Sequence, residues 1–248
     1  MIFKRLRKLV QENRESHRIN KNLHNKTFAQ LKELEWAHIY HDSLRGTEWL
    51  EKLPLNIGRW AGNYSFFYVL NRVLSDFKPN NILEFGLGES SKFVSAFLDN
   101  LLPNSKHLII EHDAIWYKKF QNNFKLSTHT SVEICPLYKQ YIFDFEVNSY
   151  SGLKDVIKQK YDLYIVDGPF GSEHFSRYDI VCLANEFTNN DEFIILIDDY
   201  HRVGEKETVK ELLNLFKKKN ITIYWGEYSG NKSVFVLGTE KYKSIQSF

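Results

Sequence analysis

The stretch that decides the fold is residues 81–93, which read NILEFGLGESSKF. Residues 82–85 form a short apolar run with one glutamate, and such a run next to a turn predicts a buried β-strand. Gly86 and Gly88 follow at once. Two glycines permit a tight turn and let the backbone come close to a bound molecule, which a Cβ atom would prevent.

A helix is predicted directly after this turn, from residue 90 to about residue 101. Ser90 or Ser91 is expected to cap its N-terminus, because a serine hydroxyl can accept a backbone N–H of the first turn. The first N–H groups of a helix have no partner within the helix, so the order strand, glycine turn, helix predicts a ligand site.

Two acidic residues sharpen this prediction. Glu84 precedes the first glycine, and Glu111 ends the next predicted strand. The glycine pattern lacks the third glycine of a dinucleotide fingerprint, since Ser91 stands in its place. Two carboxylates suit a ligand with an ammonium group and ribose hydroxyls better than a pyrophosphate. The alternative interpretation is a tight turn of a Rossmann-like sheet without a ligand.

These residues resemble the glycine loop of the class I S-adenosylmethionine-dependent methyltransferases. In that family the loop holds the methionine part of the cofactor, and the second acid binds the ribose hydroxyls. The resemblance implies S-adenosylmethionine as the cofactor of this chain. The implied cofactor-binding residues are Glu84, Gly86, Gly88, Ser90, Ser91, Glu111, His112 and Asp167.

The chain length of 248 residues fits one α/β domain with an N-terminal extension, which we place at residues 76–248 and 1–75. A net charge of +2 argues against a nucleic-acid binder. Cys135 and Cys182 are interpreted as core residues of a reduced, intracellular protein. No apolar run approaches the roughly 20 residues of a membrane span, and the N-terminus has no signal-peptide core, so a cytoplasmic protein is expected.

The rest of the chain alternates between strand and helix patterns. Strands are predicted at residues 106–111, 131–137, 161–167, 193–197, 221–225 and 233–238, and helices after Asp113 and at 151–160, 175–188 and 205–219. Trp116, Tyr117 and Phe120 are expected on a buried helix face, and residues 138–150 as a long aromatic connection. This order predicts a Rossmann-like α/β fold, with a seven-stranded, mostly parallel sheet, helices on both faces and a C-terminal antiparallel hairpin.

The N-terminal extension is predicted to be helical over residues 1–50, with a basic start. A short apolar stripe runs along it at helical spacing. The stripe consists of Ile2, Phe3, Leu6, Leu9 and Val10. Such a helix is either a membrane-surface or partner-binding element, or it packs on its own domain or on a second subunit. We favour packing, which makes a homo-oligomer through the N-terminal helices a candidate assembly.

Residues 53–74 are rich in aromatic side chains and precede the first strand. Trp60 and Tyr64 lie near glycines and are candidate substrate-binding residues, because an aromatic ring can stack on a sugar or on adenine. Phe67 is a further candidate for such stacking. Core positions are nevertheless favoured for Phe66, Phe67, Tyr68 and Leu70.

A second group of acids lies at the ends of two predicted strands. Asp167 ends one strand, and Asp198 and Asp199 follow the next. Ligands of a doubly wound sheet bind beyond the carboxyl ends of its strands. Three carboxylates repel one another unless a cation or basic side chains hold them, and hard oxygen ligands suit Mg²⁺ or another divalent cation. All three are therefore candidate metal ligands.

This arrangement resembles the metal-dependent O-methyltransferases of the catechol and macrolide-sugar types. A metal there would bind the acceptor hydroxyl and lower its pKa. The catechol enzymes carry a lysine base three residues after the first acid, where this chain has Phe170. The implied acceptor site therefore needs another base.

A further resemblance is to the glucuronoxylan 4-O-methyltransferase type. It rests on the glycine loop, on IIEHDAIWYKKF (109–120), YDLYIVDGPFG (161–171) and DDYHR (198–202). It implies an O-methyltransferase that modifies a polysaccharide, with a hydroxyl of a sugar or glycan, such as one containing a uronic acid, as acceptor. A small-molecule acceptor other than a sugar is the alternative.

Histidines are the candidate general bases, because histidine titrates near neutral pH. His201 follows the aspartate pair directly, and His174 is a second candidate. Asp167 is a base if no metal binds, and Asp199 belongs to the same catalytic group. Arg177 and Arg202 are candidates to bind a substrate carboxylate.

Two other classes of protein remain open from the sequence. One is a methyltransferase fold that has lost catalysis and acts as an assembly partner through its helical N-terminus. The other is a nucleotide-dependent oxidoreductase, which the absent third glycine and the terminal hairpin disfavour.

Overall fold

The structure is a computed structural model that describes residues 2–248. Seven strands of these residues form one sheet. Met1, the first residue of the predicted N-terminal helix, lies outside the described residues. The described strands are β1 (Asn81–Phe85), β2 (Lys106–Glu111), β3 (Thr130–Ile134), β4 (Leu137–Ile142), β5 (Phe145–Tyr150), β6 (Leu163–Val166), β7 (Ile194–Ile197), β8 (Tyr224–Ser229) and β9 (Ser233–Gly238), of which β4 and β5 form a separate hairpin.

Helices alternate with these strands. They are α1 (Ile2–Ser43), α2 (Glu48–Glu51), α3 (Tyr64–Arg72), α4 (Glu89–Asn100), α5 (Ala114–Asn123), α6 (Leu153–Val156), α7 (Asp179–Ala184) and α8 (Val203–Lys218). A π-helical turn continues α3 over Val73–Phe77, and a 3₁₀ segment at Glu240–Ser247 ends the chain. No helix within residues 2–248 is long and apolar enough to cross a membrane.

The sheet has the predicted mostly parallel topology. Its order is β3-β2-β1-β6-β7-β9-β8, and β9 is antiparallel to both of its neighbours. The C-terminal hairpin of β8 and β9 is thus confirmed, although β8 begins three residues later than predicted. Because β9 runs against β7, the turn before β9 lies at the carboxyl end of β7, where the acidic pair follows.

Alternate residues of the strands face two separate cores, which confirms helices on both faces of the sheet. On one side Ile82 and Ile165 pack with α3 and α4. On the other side Leu83 and Val166 pack with α7 and α8. Phe66, Phe67, Tyr68 and Leu70 of α3 are buried, as expected. The division of the chain at residue 75 stays a prediction, and α3 shares the first core with the strands.

Residues 138–150 were expected to be a connection, and this expectation is wrong. They belong to a separate two-stranded hairpin of β4 and β5, which pair antiparallel from Leu137 with Tyr150 to Ile142 with Phe145. The turn residues Phe143 and Asp144 both have positive φ, 47° and 71°, as a two-residue hairpin turn with matching twist requires.

Three further expectations need correction. The helix predicted at residues 175–188 is only α7, because Phe175 and Arg177 have left-handed backbone conformations that interrupt a helix. Trp116 is 44% exposed on α5, whereas Phe120 is buried as expected. Cys135 is buried, but Cys182 is exposed on α7.

The N-terminal helix is a single 42-residue element, α1, followed by the short α2. Its second half packs on the domain through Trp36, Tyr40 and the Glu33 carboxylate, which accepts the backbone N–H of Tyr64 at 2.9 Å. Residues 3–28 are exposed. Packing of the basic start against the domain is therefore wrong.

Candidate active site

The glycine loop between β1 and α4 lies against the loop that follows β6. Gly86 has φ of +94°, and a Cβ atom built on it would lie 2.9 Å from the carbonyl oxygen of Asp167. Gly86 is therefore required both by its backbone conformation and by this close approach. Gly88 is different, since a Cβ there would meet no atom of residues 2–248 within 4 Å. Open space thus adjoins the N-terminus of α4.

The peptide groups of Leu87, at the centre of this loop, are held on both sides. Its N–H donates to Oε2 of Glu111 at 2.9 Å, and its carbonyl oxygen accepts the indole N–H of Trp116 at 2.8 Å. The partly exposed Trp116 therefore makes a hydrogen bond that its predicted place on a buried helix face does not describe. Both partners come from the β2–α5 segment, so this segment fixes the position of the loop.

Glu111 is almost completely bonded within the protein. Its Oε1 accepts the backbone N–H groups of His112 at 2.6 Å and Asp113 at 2.8 Å, and Nδ1 of His112 lies 2.9 Å away. Burial opposes ionisation of Glu111, but the hydrogen bonds from His112, Asp113 and Leu87 prevail and lower its pKa. Asp113 caps α5 as expected, with its carboxylate accepting N–H groups of Ile115 and Trp116.

Glu84 is buried beneath the loop and has no exposed surface. One carboxylate oxygen accepts the hydroxyl of Ser90, and the other lies 3.0 Å from Nε2 of the buried His107. Ser91 accepts the N–H of Gly88 at 3.1 Å. The N-cap of α4 is Gly88, so the expectation of a serine cap is wrong. These side chains support the loop from the protein side.

The second group of acids comes together as predicted from the strand ends. Asp167, Asp198 and Asp199 each offer an oxygen atom within 4.8 Å of the others. Arg177, whose side chain is only 4% exposed, lies among them. Its Nη2 is 3.0 Å from Oδ1 of Asp167 and 3.0 Å from Oδ2 of Asp199, and its Nη1 donates to the carbonyl oxygens of Val166 and Asp198.

Two further cations approach the same acids. Lys232 precedes β9, and its Nζ lies 3.3 Å from Asp199 and 3.9 Å from Asp198. Arg202, 44% exposed, contacts Asp199 at 3.0 Å. The buried Glu205 adds a fourth carboxylate, 3.7 Å from Arg177. Lys232 and Glu205 were not predicted from the sequence as site residues. The topology could have indicated Lys232, because this residue precedes a strand antiparallel to β7 and therefore lies at the carboxyl end of β7.

The carboxylates of this acid cluster differ in their proton affinity. Burial, together with the neighbouring Asp198, raises the pKa of Asp167 to about 8, against the opposing effect of Arg177. Burial and Asp199 likewise raise the pKa of Asp198. Burial would also raise the pKa of Asp199, but Arg177, Lys232 and Arg202 outweigh it and lower that pKa. The cluster therefore holds both a protonated and an ionised carboxyl near neutral pH.

A divalent cation fits this arrangement poorly. The point between Asp167 and Asp199 where an ion would bridge them is occupied by Nη2 of Arg177, at 3.0 Å from each. Nζ of Lys232 lies 3.3 Å from the other oxygen of Asp199, Oδ1. Two cationic side chains at the same carboxylates repel a further cation. The carboxylates of Asp167 and Asp199 are thus paired with protein cations instead of a metal ion.

The backbone is strained at both Asp199 and Arg177, which form an ion pair in the acid cluster. Asp199 has φ of 58° and Arg177 has φ of 59°, although neither is a glycine. Left-handed conformations of such residues cost about 1–3 kcal/mol each and persist where the surroundings enforce them. Here the two strained residues contact each other directly, which is typical of functional sites.

The two candidate histidines have different surroundings. His201 is exposed in the turn between Asp199 and α8. Partial burial, assisted by Arg202 and Lys232, lowers the pKa of His201 in spite of Asp199, so its imidazole is neutral at pH 7. His174 is instead paired with Glu207 at 3.0 Å and stacks on Phe145.

The segment before α3 spans the carboxyl edge of the sheet. The N–H of Asn56 donates to Glu89 at the start of α4, and the carbonyl oxygen of Ala61 accepts Nζ of Lys232. Trp60, next to Ala61, is 96% exposed. Tyr64 packs against Tyr40 of α1 and is half-buried. Phe67 is fully buried, so stacking of this residue on a ligand is excluded.

Comparison with solved structures supports the assignment of the fold. A proposed O-methyltransferase from Klebsiella pneumoniae is 12% identical, with a TM-score of 0.51, and the match covers 84% of this chain and 98% of that chain. A proposed caffeoyl-CoA O-methyltransferase from Staphylococcus aureus is 13% identical, with a TM-score of 0.50, and the match covers 84% and 99%. No family model and no curated protein matches the sequence. At these identities the likeness shows the fold, which is that of the class I methyltransferases.

Proposed function

We propose that this chain is an S-adenosylmethionine-dependent O-methyltransferase, with a hydroxyl of a sugar or glycan as its acceptor. The observation that carries the proposal is the contact between the glycine loop and the acid cluster. Gly86 touches the backbone of Asp167 so closely that no side chain would fit between them. A donor bound at the loop and an acceptor bound at the acids would therefore be neighbours, as group transfer requires.

The glycine loop suits the cofactor. Space is open at Gly88, and the first N–H groups of α4 are available to an acidic group of a ligand. The carboxylate of Glu111 would bind the ribose hydroxyls, with His112 beside it and Asp167 at the other side of the loop. Glu84, Ser90 and Ser91 act through the loop that they support. Bound S-adenosylmethionine would supply a methyl group on a sulfonium sulfur.

The acceptor hydroxyl has to lose its proton as it attacks the methyl carbon. Transfer would form the bond from the methyl carbon to the acceptor oxygen as the carbon–sulfur bond breaks, and the other product would be S-adenosylhomocysteine, a neutral thioether. His201 is neutral at pH 7 because its pKa is lowered, so it can accept the hydroxyl proton. Asp167, with a pKa of about 8, would hold a proton at pH 7 and is the weaker candidate. Asp199 remains ionised and orients the surrounding cations.

Two exposed side chains favour a sugar acid as acceptor. Arg202 has free surface beside Asp199, so it can bind a substrate carboxylate such as that of a uronic acid. Arg177 is buried and already bonded to two carboxylates, which leaves it a positioning role. Trp60 is exposed on the segment that Lys232 anchors, and an indole can stack on a sugar ring. Tyr64 packs on α1 and is the weaker of the two aromatic candidates.

The first experiment is a calorimetric titration of the protein with S-adenosylhomocysteine. We expect micromolar binding by the wild type and at least tenfold weaker binding by Glu111→Ala. Glu133→Ala, which removes an exposed glutamate of the adjacent strand β3, is the matched control and should bind as the wild type does. A folded protein without affinity for this ligand would refute the proposal and favour the assembly-partner alternative.

Methyl transfer is then measured as S-adenosylhomocysteine release with a panel of uronic acids, neutral sugars and catechols. Uronic acids should be preferred, and Arg202→Met should raise their KM more than it lowers kcat. Activity in EDTA should equal activity in Mg²⁺, because Arg177 occupies the bridging position. Loss of activity in EDTA with recovery in Mg²⁺ would contradict that assignment, and a preference for catechols would refute the sugar acceptor.

A further inference from the structure

The first half of α1 is a long helix without any tertiary support among the described residues. All side chains of residues 3–28 are exposed, and packing on the domain starts only at Ala29. At 1.5 Å per residue this part extends for about 39 Å. Most helical stability in proteins comes from the packing of an amphipathic face, so a helix of this length and mixed composition needs something to pack on.

A seven-residue pattern runs along the whole helix. Three columns of residues, each with a spacing of seven, begin at Phe3, Leu6 and Leu9 and lie side by side on the helix surface. We call them the uncharged stripe, because none of their members is a lysine, arginine, aspartate or glutamate. The members are Phe3, Leu6, Leu9, Val10, Asn13, Ser16, His17, Asn20, Leu23, His24, Thr27, Gln30, Leu31, Leu34, Ala37, His38 and His41.

All 13 of the Lys, Arg, Asp and Glu residues within residues 3–41 lie on the other four columns. The large apolar residues of the stripe are exposed to solvent, and Leu23 is 59% exposed. An unbroken uncharged face of this length, with apolar residues at both ends, is the pattern of a helix that buries this face.

The uncharged stripe differs from the face that packs on the domain. Trp36 and Tyr40, which join the core, and Glu33, which binds the backbone of Tyr64, all lie on other columns. Leu31 and Leu34 of the stripe stay exposed at the same level of the helix. The domain therefore leaves the stripe free from Phe3 to Leu34, and only its last members approach the domain, where His41 contacts Tyr64.

We propose that a second copy of this chain packs along the uncharged stripe, as a parallel, in-register, two-stranded coiled coil. A straight α-helix drifts by about 20° per heptad against a strict seven-residue repeat, so a repeat sustained over residues 3–41 calls for supercoiling around another helix. The exposed part from residue 3 to residue 34 spans more than four heptads, which is enough for a coiled coil.

The polar centre of the stripe favours a protein partner and sets the orientation. Asn13 and Asn20 lie in the column of Leu6, which corresponds to core position a, while Leu9 and Leu23 correspond to position d. Asparagine at position a costs stability but specifies register and partner number. Parallel chains pair asparagine with asparagine and leucine with leucine, whereas antiparallel chains place Asn13 opposite Leu23. A membrane would have to bury these amides in lipid, which is costly.

The test is the mass of the full chain in solution, by light scattering after size exclusion. We expect about twice 29.4 kDa for the wild type and the monomer mass for Leu9→Glu/Leu23→Glu. Phe28→Glu is the matched control, because Phe28 is 54% exposed on the same helix but lies outside the stripe, and it should remain dimeric. A monomeric wild type, or equal effects of both variants, would overturn the proposal. So would a monomer that sediments with phosphatidylserine vesicles through its basic N-terminus.

The orientation is tested by oxidation of Asn13→Cys in a Cys182→Ser background, since Cys182 is exposed and Cys135 is buried. Parallel chains in register should form a disulfide-linked dimer at position 13. Antiparallel chains that overlap over the same residues would separate the two cysteines by about 15 Å along the axis and leave them unlinked. Dimers that stay unlinked would overturn the parallel register.

Discussion

The glycine loop and the acid cluster lie in contact, yet they hold their carboxylates in opposite ways. In the loop, both oxygens of Glu111 accept backbone N–H groups, and Glu84 accepts the hydroxyl of Ser90, although its Oε2 beside His107 makes no hydrogen bond. In the cluster, neither oxygen of the buried Asp198 has a hydrogen-bond partner within residues 2–248. Asp199 and Arg177 also carry strained backbones there, whereas the loop places a glycine at its positive φ.

This difference separates a scaffold from a reacting centre. Satisfied buried networks rigidify the protein, and a rigid loop can present its backbone to a ligand in one conformation. Crowded carboxylates with unequal proton affinities retain free energy that a bound substrate can release, and they concentrate at functional sites. The comparison predicts that substitutions in the cluster change charge balance, while substitutions in the loop change shape.

Removal of Arg177 should have the largest effect on stability. Arg177→Met leaves the buried Asp199 and the partly exposed Asp167 without their main cation, and loss of one partner of a buried ion pair costs about 3–5 kcal/mol. Arg202→Met removes a cation from the same Asp199 at an exposed position and should cost less than about 1 kcal/mol. Urea unfolding of both variants measures this contrast. Equal losses of unfolding free energy in the two variants would show that burial does not make the ion pairs of Arg177 more stabilising than that of Arg202.

Alanine substitutions of Gly86 and Gly88 test whether the loop tolerates a side chain at each position. Gly86→Ala forces a side chain into a positive φ and against the carbonyl oxygen of Asp167, so we expect a loss of about 2–3 kcal/mol. Gly88→Ala meets open space and should cost less than about 1 kcal/mol, as a poorer N-cap. The same methyl group would reduce the affinity for S-adenosylhomocysteine. A stable Gly88→Ala variant with unchanged affinity would remove Gly88 from the proposed cofactor site.

The sequence predicts the sheet well because its signals are local. Apolar runs that end in glycines or acids mark β1, β2, β6 and β7, and parallel strands bring the residues after β6 and β7 to one edge. The β4–β5 hairpin escaped prediction because its turn uses Phe143 at positive φ, where glycine or asparagine is usual. The start of α7 was predicted too early for a similar reason, because Phe175 and Arg177 adopt positive φ although neither is a glycine or an asparagine.

The site is less predictable because its pairings are tertiary. Strand ends identify Asp167, Asp198 and Asp199, but nothing in the spacing indicates that Arg177 enters between them from a loop. Glu84 keeps its motif position, but its side chain lies against His107. His107 belongs to no motif and precedes Glu111 by four residues on β2. The uncharged stripe of α1 is fully visible in the sequence, but only the structure shows that the domain leaves it uncovered from Phe3 to Leu34.

The smallest predicted effect concerns the pH dependence of two neighbouring aspartates. The pKa of Asp167 is raised to about 8, so it contributes stability below its unfolded pKa, and that contribution is lost as pH rises to about 8. The pKa of Asp199 is lowered, so its contribution is complete above its unfolded pKa and constant between pH 5 and 9.

The free energy of unfolding of Asp167→Asn relative to the wild type should therefore rise from pH 5 to pH 9, while that of Asp199→Asn should stay level. The slope for Asp167 should stay well below the about 1.4 kcal/mol per pH unit of one fully coupled proton, because Asp167 is partly exposed. Urea unfolding at pH 5, 7 and 9 measures both differences. Parallel profiles for the two variants would contradict the unequal protonation of the cluster and, with it, the choice of His201 over Asp167 as the base.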